Sequence, residues 1–395
     1  MLLASLAACA VPAAPQAAAQ AQRVESWGAN DFGELGDGTT DERHTPVTAA
    51  GLTAAGVTRL AAGGNHGLAV LSNGTVKAWG ANDFGQLGDG TTSSLSDPDH
   101  LTPGTVRELS GVTAVAAGCT FSLALLSDGT VRAWGNNFSG QLGNGTSGSI
   151  SNNTPVTVID PANPSAPLRG VTAIAAGCDH SLALLSNGTV KAWGANDHGQ
   201  LGNGTVGGDT GTPVTVVDPG NPGAPLTGVR DIDGGLSHSL ALRFDGTVRA
   251  WGDNSDGQVG NGSIGGDTGT PVTVVNLTGI VDVDAGDSHS LARRLDGIVR
   301  AWGDNSDGQL GNGSIGGASG TPANVVNLTG ARDISAGGVH NLARRSDGSL
   351  RAWGGNDSGQ LGNGSTADSG APVTVRTGIG TITRIAAGGN SSLAA

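Results

Sequence analysis

The chain has 395 residues, including 70 glycines, and its 20 basic and 33 acidic side chains give a formal charge of −13. Glycine at this density excludes a helical or coiled-coil protein, because each glycine inside a helix costs about 1 kcal/mol relative to alanine. The negative charge argues against a nucleic-acid partner, since binding to phosphates requires clustered lysine and arginine.

Residues 1–22, MLLASLAACAVPAAPQAAAQAQ, contain no charged side chain and are rich in alanine. This composition predicts an export signal and a flexible leader, with an apolar run too short to span a membrane. Two kinds of processing stay open: cleavage by signal peptidase at Ala19-Gln20-Ala21, or lipidation of Cys9 in a lipobox-like Leu6-Ala7-Ala8-Cys9. We expect an extracellular, periplasmic or cell-surface protein, attached to a membrane only if Cys9 carries a lipid.

From residue 23 to residue 395 the chain consists of repeats that each contain the dipeptide Trp-Gly. Their spacing of 51 to 59 residues is long enough for one four-stranded sheet per repeat and is typical of radial or stacked arrays. The tryptophans are Trp27, Trp79, Trp134, Trp193, Trp251, Trp302 and Trp353. Because no linker separates the repeats, we expect a single domain.

The repeat is clearest at residues 112–156, where VTAVAAG, FSLALL, TVRAWG and PVTV follow one another. Short apolar or alternating runs of this kind predict buried strands. An Asn-Gly or Asp-Gly pair, which favours a tight hairpin turn, separates the second and third runs. Such pairs begin at Asn73, Asp128, Asn187, Asp245, Asp296 and Asp347. The sequence therefore predicts six hairpins.

The number of predicted hairpins is one fewer than the number of Trp-Gly units. This difference predicts how the two ends of the repeat region meet. The first unit, RVESWG, has no AAG segment before it, and the last AAG segment, IAAGGNSSLAA, has no Trp-Gly after it. In a ring, the C-terminal strands would pair with the N-terminal strand and complete a shared sheet. A linear solenoid would need polar capping repeats instead. We therefore predict an all-β, seven-bladed β-propeller over residues 23–395.

The pattern AAGxxHSLALxxDGxVxAWGxNxxGQLGxG, nearly complete at residues 175–204, resembles the regulator of chromosome condensation repeat. The resemblance covers almost all of residues 23–395 and implies that family's seven-bladed propeller, here in a bacterial exported member. It also implies a protein-binding platform. Some members of the family are guanine nucleotide exchange factors for small GTPases, and some secreted bacterial relatives inhibit β-lactamases. None of these activities can be assigned to particular residues of this chain.

Cys119 and Cys178 occupy the same position in successive repeats, directly after Ala-Ala-Gly. They could form a disulfide only if this position lies near the axis, with Cα atoms within about 7 Å. The alternative, two small buried thiols, is the preferred interpretation.

Histidine precedes the SLA-type strand in five repeats, and Phe121 and Ser391 take its place in the other two. The five are His66, His180, His238, His289 and His340. A ring of imidazoles could bind zinc or copper, but a residue that repeats with the fold is typical of structure, so no metal or cofactor is expected. The acidic loops at Asp253 and Asp304 fit turn chemistry, and weak calcium binding there stays open.

The loop after Trp-Gly differs between repeats and supplies the candidate binding site. Early repeats carry aromatic side chains or histidine there, and late repeats carry aspartate, so one rim of the ring should have an aromatic sector facing an acidic sector. These residues are Phe32, Phe84, Phe138, His198, Asp256, Asp307 and Asp357. Such a rim suits a protein partner, in particular a basic one. Alternatively, the phenylalanines pack onto their own loops.

Two further features belong to particular repeats. Proline-rich connections at residues 158–170 and 216–228 predict extended loops, which are a second candidate surface for recognition. Late repeats gain aspartates and arginines in adjacent strands, for example Asp282 with Arg293 and Asp333 with Arg344, which predicts cross-strand ion pairs.

These observations favour a non-enzymatic, monomeric, exported propeller that acts as a protein-binding scaffold or inhibitor. The alternative is a guanine nucleotide exchange factor, which would require a cytosolic or nuclear location. An enzyme or a glycan-binding protein is less favoured, because no catalytic set emerges from the repeat pattern.

Overall fold

The computed structural model describes residues 23–53, 56–93, 100–148 and 151–395. The predicted leader, with Ala19-Gln20-Ala21 and Cys9, lies outside the described residues. Within them the regular structure is β-strand, as predicted. None of these residues forms a helix with the length and hydrophobicity needed to cross a bilayer.

The strands of the first half, in chain order, are β1 (Arg23–Gly28), β2 (Arg43–Thr53), β3 (Val57–Ala62), β4 (His66–Leu71), β5 (Val76–Gly80), β6 (Gly104–Thr105), β7 (Val112–Ala117), β8 (Phe121–Leu126), β9 (Val131–Gly135), β10 (Asn152–Thr157), β11 (Ile159–Asp160), β12 (Asn163–Pro167), β13 (Val171–Ala176), β14 (His180–Leu185), β15 (Val190–Gly194) and β16 (Thr210–Thr215). Those of the second half are β17 (Val217–Asp218), β18 (Asn221–Pro225), β19 (Val229–Gly234), β20 (His238–Arg243), β21 (Val248–Gly252), β22 (Thr268–Thr273), β23 (Ile280–Ala285), β24 (His289–Arg294), β25 (Val299–Asp304), β26 (Ala318–Asn324), β27 (Ala331–Ala336), β28 (His340–Arg345), β29 (Leu350–Gly354), β30 (Ser369–Thr374), β31 (Ile385–Ala387) and β32 (Ser391–Ala394).

These strands form seven four-stranded antiparallel sheets, or blades, in the described part of the chain. Blade 2 consists of β3–β6, blade 3 of β7–β10, blade 4 of β13–β16, blade 5 of β19–β22, blade 6 of β23–β26 and blade 7 of β27–β30. Within each of these blades the strands follow one another in sequence order, and the first strand lines a central cavity of about 310 Å³. The seven-bladed propeller is confirmed.

Blade 1 combines both ends of the repeat region, in the order β2-β1-β32-β31. Strand β1 pairs with β32, so that Trp27 lies opposite Ser392 and Ser26 opposite Leu393. In the other blades the equivalent pair is joined by one of the six predicted hairpin turns. The missing hairpin is therefore the point where the ring closes, as the sequence predicts.

A ring of backbone hydrogen bonds also links each blade to the next. Near the end of each innermost strand, an N–H group donates to a carbonyl oxygen of the following blade at 3.0 to 3.3 Å. The bonds join Gly64 to Gly118, Cys119 to Cys178, Cys178 to Gly235, Leu236 to Asp287, Asp287 to Gly338, Gly338 to Gly388 and Gly389 to Gly63. The ring around the cavity is thus closed twice, by the pairing of β1 with β32 and by these hydrogen bonds between the turns of neighbouring blades.

The tryptophans fill the interfaces between blades, which explains their recurrence. All seven are fully buried, each in one of seven apolar clusters between successive blades. Trp193 Nε1, for example, donates to the carbonyl oxygen of Gln141 in the preceding repeat at 2.9 Å. The following glycine is required because its φ is positive: at Gly135, with φ of 103°, a Cβ atom would lie 2.6 Å from the Thr120 carbonyl oxygen.

Candidate functional site on the loop face

The loops after Trp-Gly lie on one face of the propeller, together with the turns that follow the innermost strands. Backbone hydrogen bonds join the two sets, for example from Asn136 N–H to Thr120 O at 3.0 Å and from Ala195 N–H to Asp179 O at 2.8 Å. We call this side the loop face. The Asn-Gly and Asp-Gly turns are at the other ends of these strands, on what we call the hairpin face.

A buried asparagine holds each loop of the loop face in a fixed shape. In blade 5, Asn254 Oδ1 accepts from Val259 N–H at 3.1 Å, and Asn254 Nδ2 donates to the carbonyl oxygens of Ser263 and Gly265 at 3.4 and 3.2 Å. The seven asparagines are Asn30, Asn82, Asn137, Asn196, Asn254, Asn305 and Asn356. This role of the asparagine was not predicted from the sequence, although the asparagine recurs as the first residue of the motif NxxGQLG.

The recurring histidines link neighbouring blades. His238 Nε2 lies 2.8 Å from Ser290 Oγ, and this hydroxyl donates to the carbonyl oxygen of Gln258 at 2.9 Å. Because the hydroxyl proton is used in that bond, His238 must donate through Nε2–H. The same arrangement joins His66 to Ser122, His180 to Ser239 and His340 to Ser392. His289 Nε2 instead lies 2.7 Å from the amide oxygen of Asn341, whose Nδ2 donates to the carbonyl oxygen of Gln309.

Burial keeps these histidines neutral. Desolvation lowers the pKa of His66 and His180 to about 4, and that of His238 and His340 to about 3. Their Nδ1 atoms have no hydrogen-bond partner in the structure, so a second ring proton would have no acceptor. Each of the five histidines thus joins two blades through a buried hydrogen bond.

The predicted rim residues are unequally exposed. Phe138 is 66% exposed and Phe84 38% exposed, whereas Phe32 is half-buried. Asp357 is exposed, and Asp256, Asp307 and His198 are half-buried. Phe138 therefore projects from the surface. Phe32 is the least exposed of the three phenylalanines and best fits the alternative in which the ring packs onto its own loop. Their role in binding a partner remains a prediction.

The late loops form an acidic sector in which the carboxylates influence one another. Partial burial, followed by the charge of Asp304, raises the pKa of Asp256. Partial burial, followed by the charge of Asp368, raises the pKa of Asp307, and Asp304 and Asp357 add to this effect. A cation placed here would relieve the repulsion among these groups.

Three exposed aliphatic side chains on the same face were missed by sequence reasoning. Val206, Ile264 and Ile315 are 52 to 53% exposed and occupy equivalent loop positions in blades 4, 5 and 6. We call them the aliphatic arc. Blades 1 and 7 have Thr40 and Thr366 at this position. The recurring sequence Asn-Gly-Ser/Thr-x-Gly-Gly marks these positions, with the aliphatic residue as x.

Cys119 and Cys178, at the end of the central cavity, are joined by a disulfide. Their Cα atoms are 4.5 Å apart. The preference for two free thiols therefore does not match the structure. The bridge can form because this position follows the innermost strands, where successive blades approach most closely.

The hairpin face carries two small hairpins, two exposed apolar side chains and a set of paired charges. Its connections at residues 158–170 and 216–228 contain the two-stranded sheets β11-β12 and β17-β18, so they are small hairpins rather than purely extended loops. Phe244 and Leu295 are exposed at hairpin turns of blades 5 and 6, by 73% and 77%. In these turns and that of blade 7, Arg243, Arg294 and Arg345 pair with Asp245, Asp296 and Asp347.

Comparisons with known proteins agree with the propeller fold. The family model described as RCC1-like domain matches residues 23–394. The chain is 28% identical over 358 residues to the ultraviolet-B receptor UVR8 of Arabidopsis thaliana, covering 89% of this chain and 77% of the receptor. It is 30% identical over 393 residues to the secretion-regulating guanine nucleotide exchange factor of Bos taurus, covering 92% of this chain and 81% of that protein.

Among solved structures, Prp20p of Saccharomyces cerevisiae, described together with its binding to Gsp1p and histones, has a TM-score of 0.80. The match covers 95% of this chain and 92% of Prp20p, at 24% sequence identity. At this level of identity the likeness concerns the fold.

Proposed function

Because the chain belongs to the RCC1-like domain family, we propose that it is a non-enzymatic protein-binding propeller whose loop face recognises a basic protein partner. It acts as a scaffold or an inhibitor. The composition of residues 1–22 supports an exported or surface-attached location.

The observation that carries this proposal is the exposed aliphatic arc, held on loops of fixed shape. Asn196, Asn254 and Asn305 each donate to the two carbonyl groups that flank the arc residue, at 2.8 to 3.4 Å. The side chains project from backbone that is already ordered, so these loops lose little conformational entropy when a partner binds. Together with Phe138 they form apolar anchors of the kind that dominate binding energy.

The acidic sector beside the arc indicates the charge of the partner. Asp256 and Asp307 follow the same Trp-Gly units as Ile264 and Ile315, and the pKa of each carboxyl group is raised, first by partial burial. Lysine or arginine from a partner would offset their repulsion with Asp304 and speed association. The anchors supply affinity, and the acids favour a basic surface over a neutral or acidic one.

The test is affinity capture with the full chain from the exported proteins of its source. The loop-face variant carries Val206→Thr, Ile264→Thr and Ile315→Thr, which copy the residues that blades 1 and 7 already hold. The matched control carries Phe244→Ala and Leu295→Ala on the hairpin face. We expect the loop-face variant to lose at least tenfold in affinity for the captured partner, the control to keep it, and added salt to weaken it. If the hairpin-face variant loses the partner and the loop-face variant keeps it, the assignment of the binding face is wrong.

The resemblance to the secretion-regulating exchange factor favours one alternative, guanine nucleotide exchange on a small GTPase. In that case a capture from cytosolic extract, rather than from exported proteins, recovers a small GTPase, and the chain accelerates release of its bound GDP. This outcome would replace the scaffold proposal.

A further inference from the structure

Three side chains that are distant in the sequence meet on the loop face between blades 4 and 5. His198 comes from the loop of blade 4, and Asp253 and Asp267 come from the two ends of the loop of blade 5. One ligand atom from each lies within 4.8 Å of the others, and His198 Nδ1 is 3.0 Å from Asp267 Oδ2. Both groups of the closer pair are partly exposed, so the cluster is open to solvent.

Among the residues that the structure describes, this combination is found at the boundary between blades 4 and 5. At the next boundary, between blades 5 and 6, the equivalent residues are Asp256, Asp304 and Ala318. The boundary between blades 3 and 4 has Ser139, Ala195 and Asp209. The cluster is therefore not part of the recurring structural pattern, unlike the five buried histidines.

Asp267 also departs from the role that its counterparts play. Asp209 and Asp368, at the same loop position in blades 4 and 7, accept from the backbone N–H of Asn196 and Asn356 at 2.9 and 2.8 Å. Those bonds brace the loop within a single blade. Asp267 Oδ2 instead lies beside the imidazole of the neighbouring blade.

The second carboxylate is held in place by its own loop. Asp253 Oδ1 accepts from Ser255 N–H at 2.8 Å, and Asp253 Oδ2 accepts from Gln258 Nε2 at 2.9 Å. Asp253 Oδ2 also accepts from Ser255 Oγ at 3.1 Å, whereas Oδ1 has one bond and keeps a lone pair for a further partner. Outer partners of this kind orient the ligands of metal sites.

We propose that His198, Asp253 and Asp267 bind one divalent transition-metal ion, with Zn²⁺ as the representative. One imidazole nitrogen and two carboxylate oxygens are a donor set for zinc, whereas calcium takes oxygen ligands alone. Tetrahedral zinc separates neighbouring ligand atoms by about 3.3 Å at metal–ligand distances of about 2.0 Å. Since the ligand atoms lie within 4.8 Å of one another, zinc would draw them closer by up to about 1.5 Å. Three protein ligands leave a fourth position open toward solvent.

The test is zinc binding by the full chain, stripped with EDTA, using isothermal titration calorimetry with ZnCl₂ in the absence of any partner. The variants are His198→Ala and Asp267→Asn, both on surface loops. The matched control is Asp304→Asn, which changes the residue equivalent to Asp253 at the next blade boundary. Parallel titrations with CaCl₂ test the ion preference.

We expect one Zn²⁺ per chain, at least tenfold weaker binding in both variants, unchanged binding in the control and weaker binding of Ca²⁺. Co²⁺ bound to the wild type should show the visible absorption of a four-coordinate site, and His198→Ala should abolish it. Lack of stoichiometric binding would overturn the proposal, as would zinc binding that both variants retain. Since no partner is present, this result is independent of the proposed protein-binding function.

Discussion

At the scale of single residues, the position before the SLA-type strand, which we call the slot, can hold different side chains. His180 and Phe121 occupy the same position in successive blades, and both are fully buried. Because Phe121 has no imidazole, Ser181 of the next blade has no histidine partner, but its hydroxyl still donates to the carbonyl oxygen of Gln141 at 2.8 Å. In blade 3 the phenyl ring fills the slot by packing alone, and in blade 4 the histidine adds one hydrogen bond to the next blade.

Replacing His180 by phenylalanine should lower stability at neutral pH and raise acid resistance. At pH 7.5 the loss of the bond to Ser239 should cost about 1 kcal/mol of unfolding free energy. Burial lowers the pKa of His180 to about 4. As pH falls from about 6.5 toward 4, the unfolded wild type therefore binds a proton at this histidine that the folded wild type does not, and the wild type loses stability. Near pH 5 the variant should therefore equal or exceed the wild type in urea unfolding followed by tryptophan fluorescence.

The reverse substitution, Phe121→His, is the matched control. It should gain a bond to Ser181 at neutral pH and become more acid-sensitive than the wild type. A stability difference that stays constant between pH 7.5 and pH 5 in either variant would show that the slot does not titrate in this way.

At the scale of elements, the innermost strands of blades 5, 6 and 7 are joined by side chains. Asp233 Oδ2 accepts from Ala285 N–H at 2.7 Å, and Asp284 Oδ1 accepts from Ala336 N–H at 3.0 Å. The two carboxyl groups also hydrogen-bond to each other, which requires one proton between them. Desolvation raises the pKa of Asp233 to about 7 and that of Asp284 well above its ordinary value.

Asp284→Asn should stabilise the protein at alkaline pH, because the amide keeps the bond from Ala336 and donates to Asp233 without a titratable proton. A raised carboxyl pKa gives stability that is complete below about 4 and is lost as pH rises through about 7. The variant should therefore exceed the wild type by about 1–2 kcal/mol at pH 8, and the difference should shrink toward pH 5. The charged groups nearest this pair on the inner strands of the three blades include Arg230, Asp231, Asp282, Arg293, Asp333 and Arg344.

Urea unfolding at pH 5, 6.5 and 8 measures this difference. Asp245→Asn is the control, since the Thr247 hydroxyl lowers the pKa of Asp245 in its exposed hairpin turn. Its effect should be the same at pH 5 and pH 8. A pH-independent effect of Asp284→Asn would mean that the two carboxyl groups do not share a proton in the folded state.

Local sequence patterns predicted those features that depend on neighbouring strands of one blade. Asp282 lies opposite Arg293 in β23 and β24 and pairs with it at 3.0 Å, and Asp333 pairs with Arg344 at 3.6 Å. The contact between Asp233 and Asp284 was not predicted, because it joins different blades. The meeting of His198 with Asp267 was missed for the same reason, since 69 residues separate them.

At the scale of the whole molecule, repetition made the fold predictable and left the function underdetermined. Seven Trp-Gly units and six turns were sufficient to predict a ring closed at blade 1, because each repeat buries its apolar face only against its neighbours. The position of Cys119 relative to Cys178 depended on how closely the blades approach at the axis, which spacing alone does not give. Exposure of the loop side chains, such as Ile264 and Phe138, depended on loop shape for the same reason.

If the ring is closed, the position of the chain ends should be interchangeable between blades. Trp27 of blade 1 donates to the carbonyl oxygen of Gln360 in blade 7 at 2.8 Å, just as Trp193 bonds to Gln141 within the continuous chain. In blade 4, residues 185–188, Leu-Ser-Asn-Gly, connect the strands that β32 and β1 replace in blade 1. Joining residue 395 to residue 23 through a copy of these four residues should create the seventh hairpin.

A circular permutant with this link, opened between Asp296 and Gly297, should fold to a monomer with cooperative unfolding and an unchanged β-sheet circular dichroism spectrum. Blade 6 then closes by pairing β24 with β25, as blade 1 does in the natural order. Deletion of residues 385–395 is the contrasting variant, because it leaves β1 without β32 and exposes the apolar cluster around Val24. That variant should aggregate or lose cooperativity. A permutant that also fails to fold would show that the junction in blade 1 is specialised, and that closure depends on more than the repeat geometry shared by all seven blades.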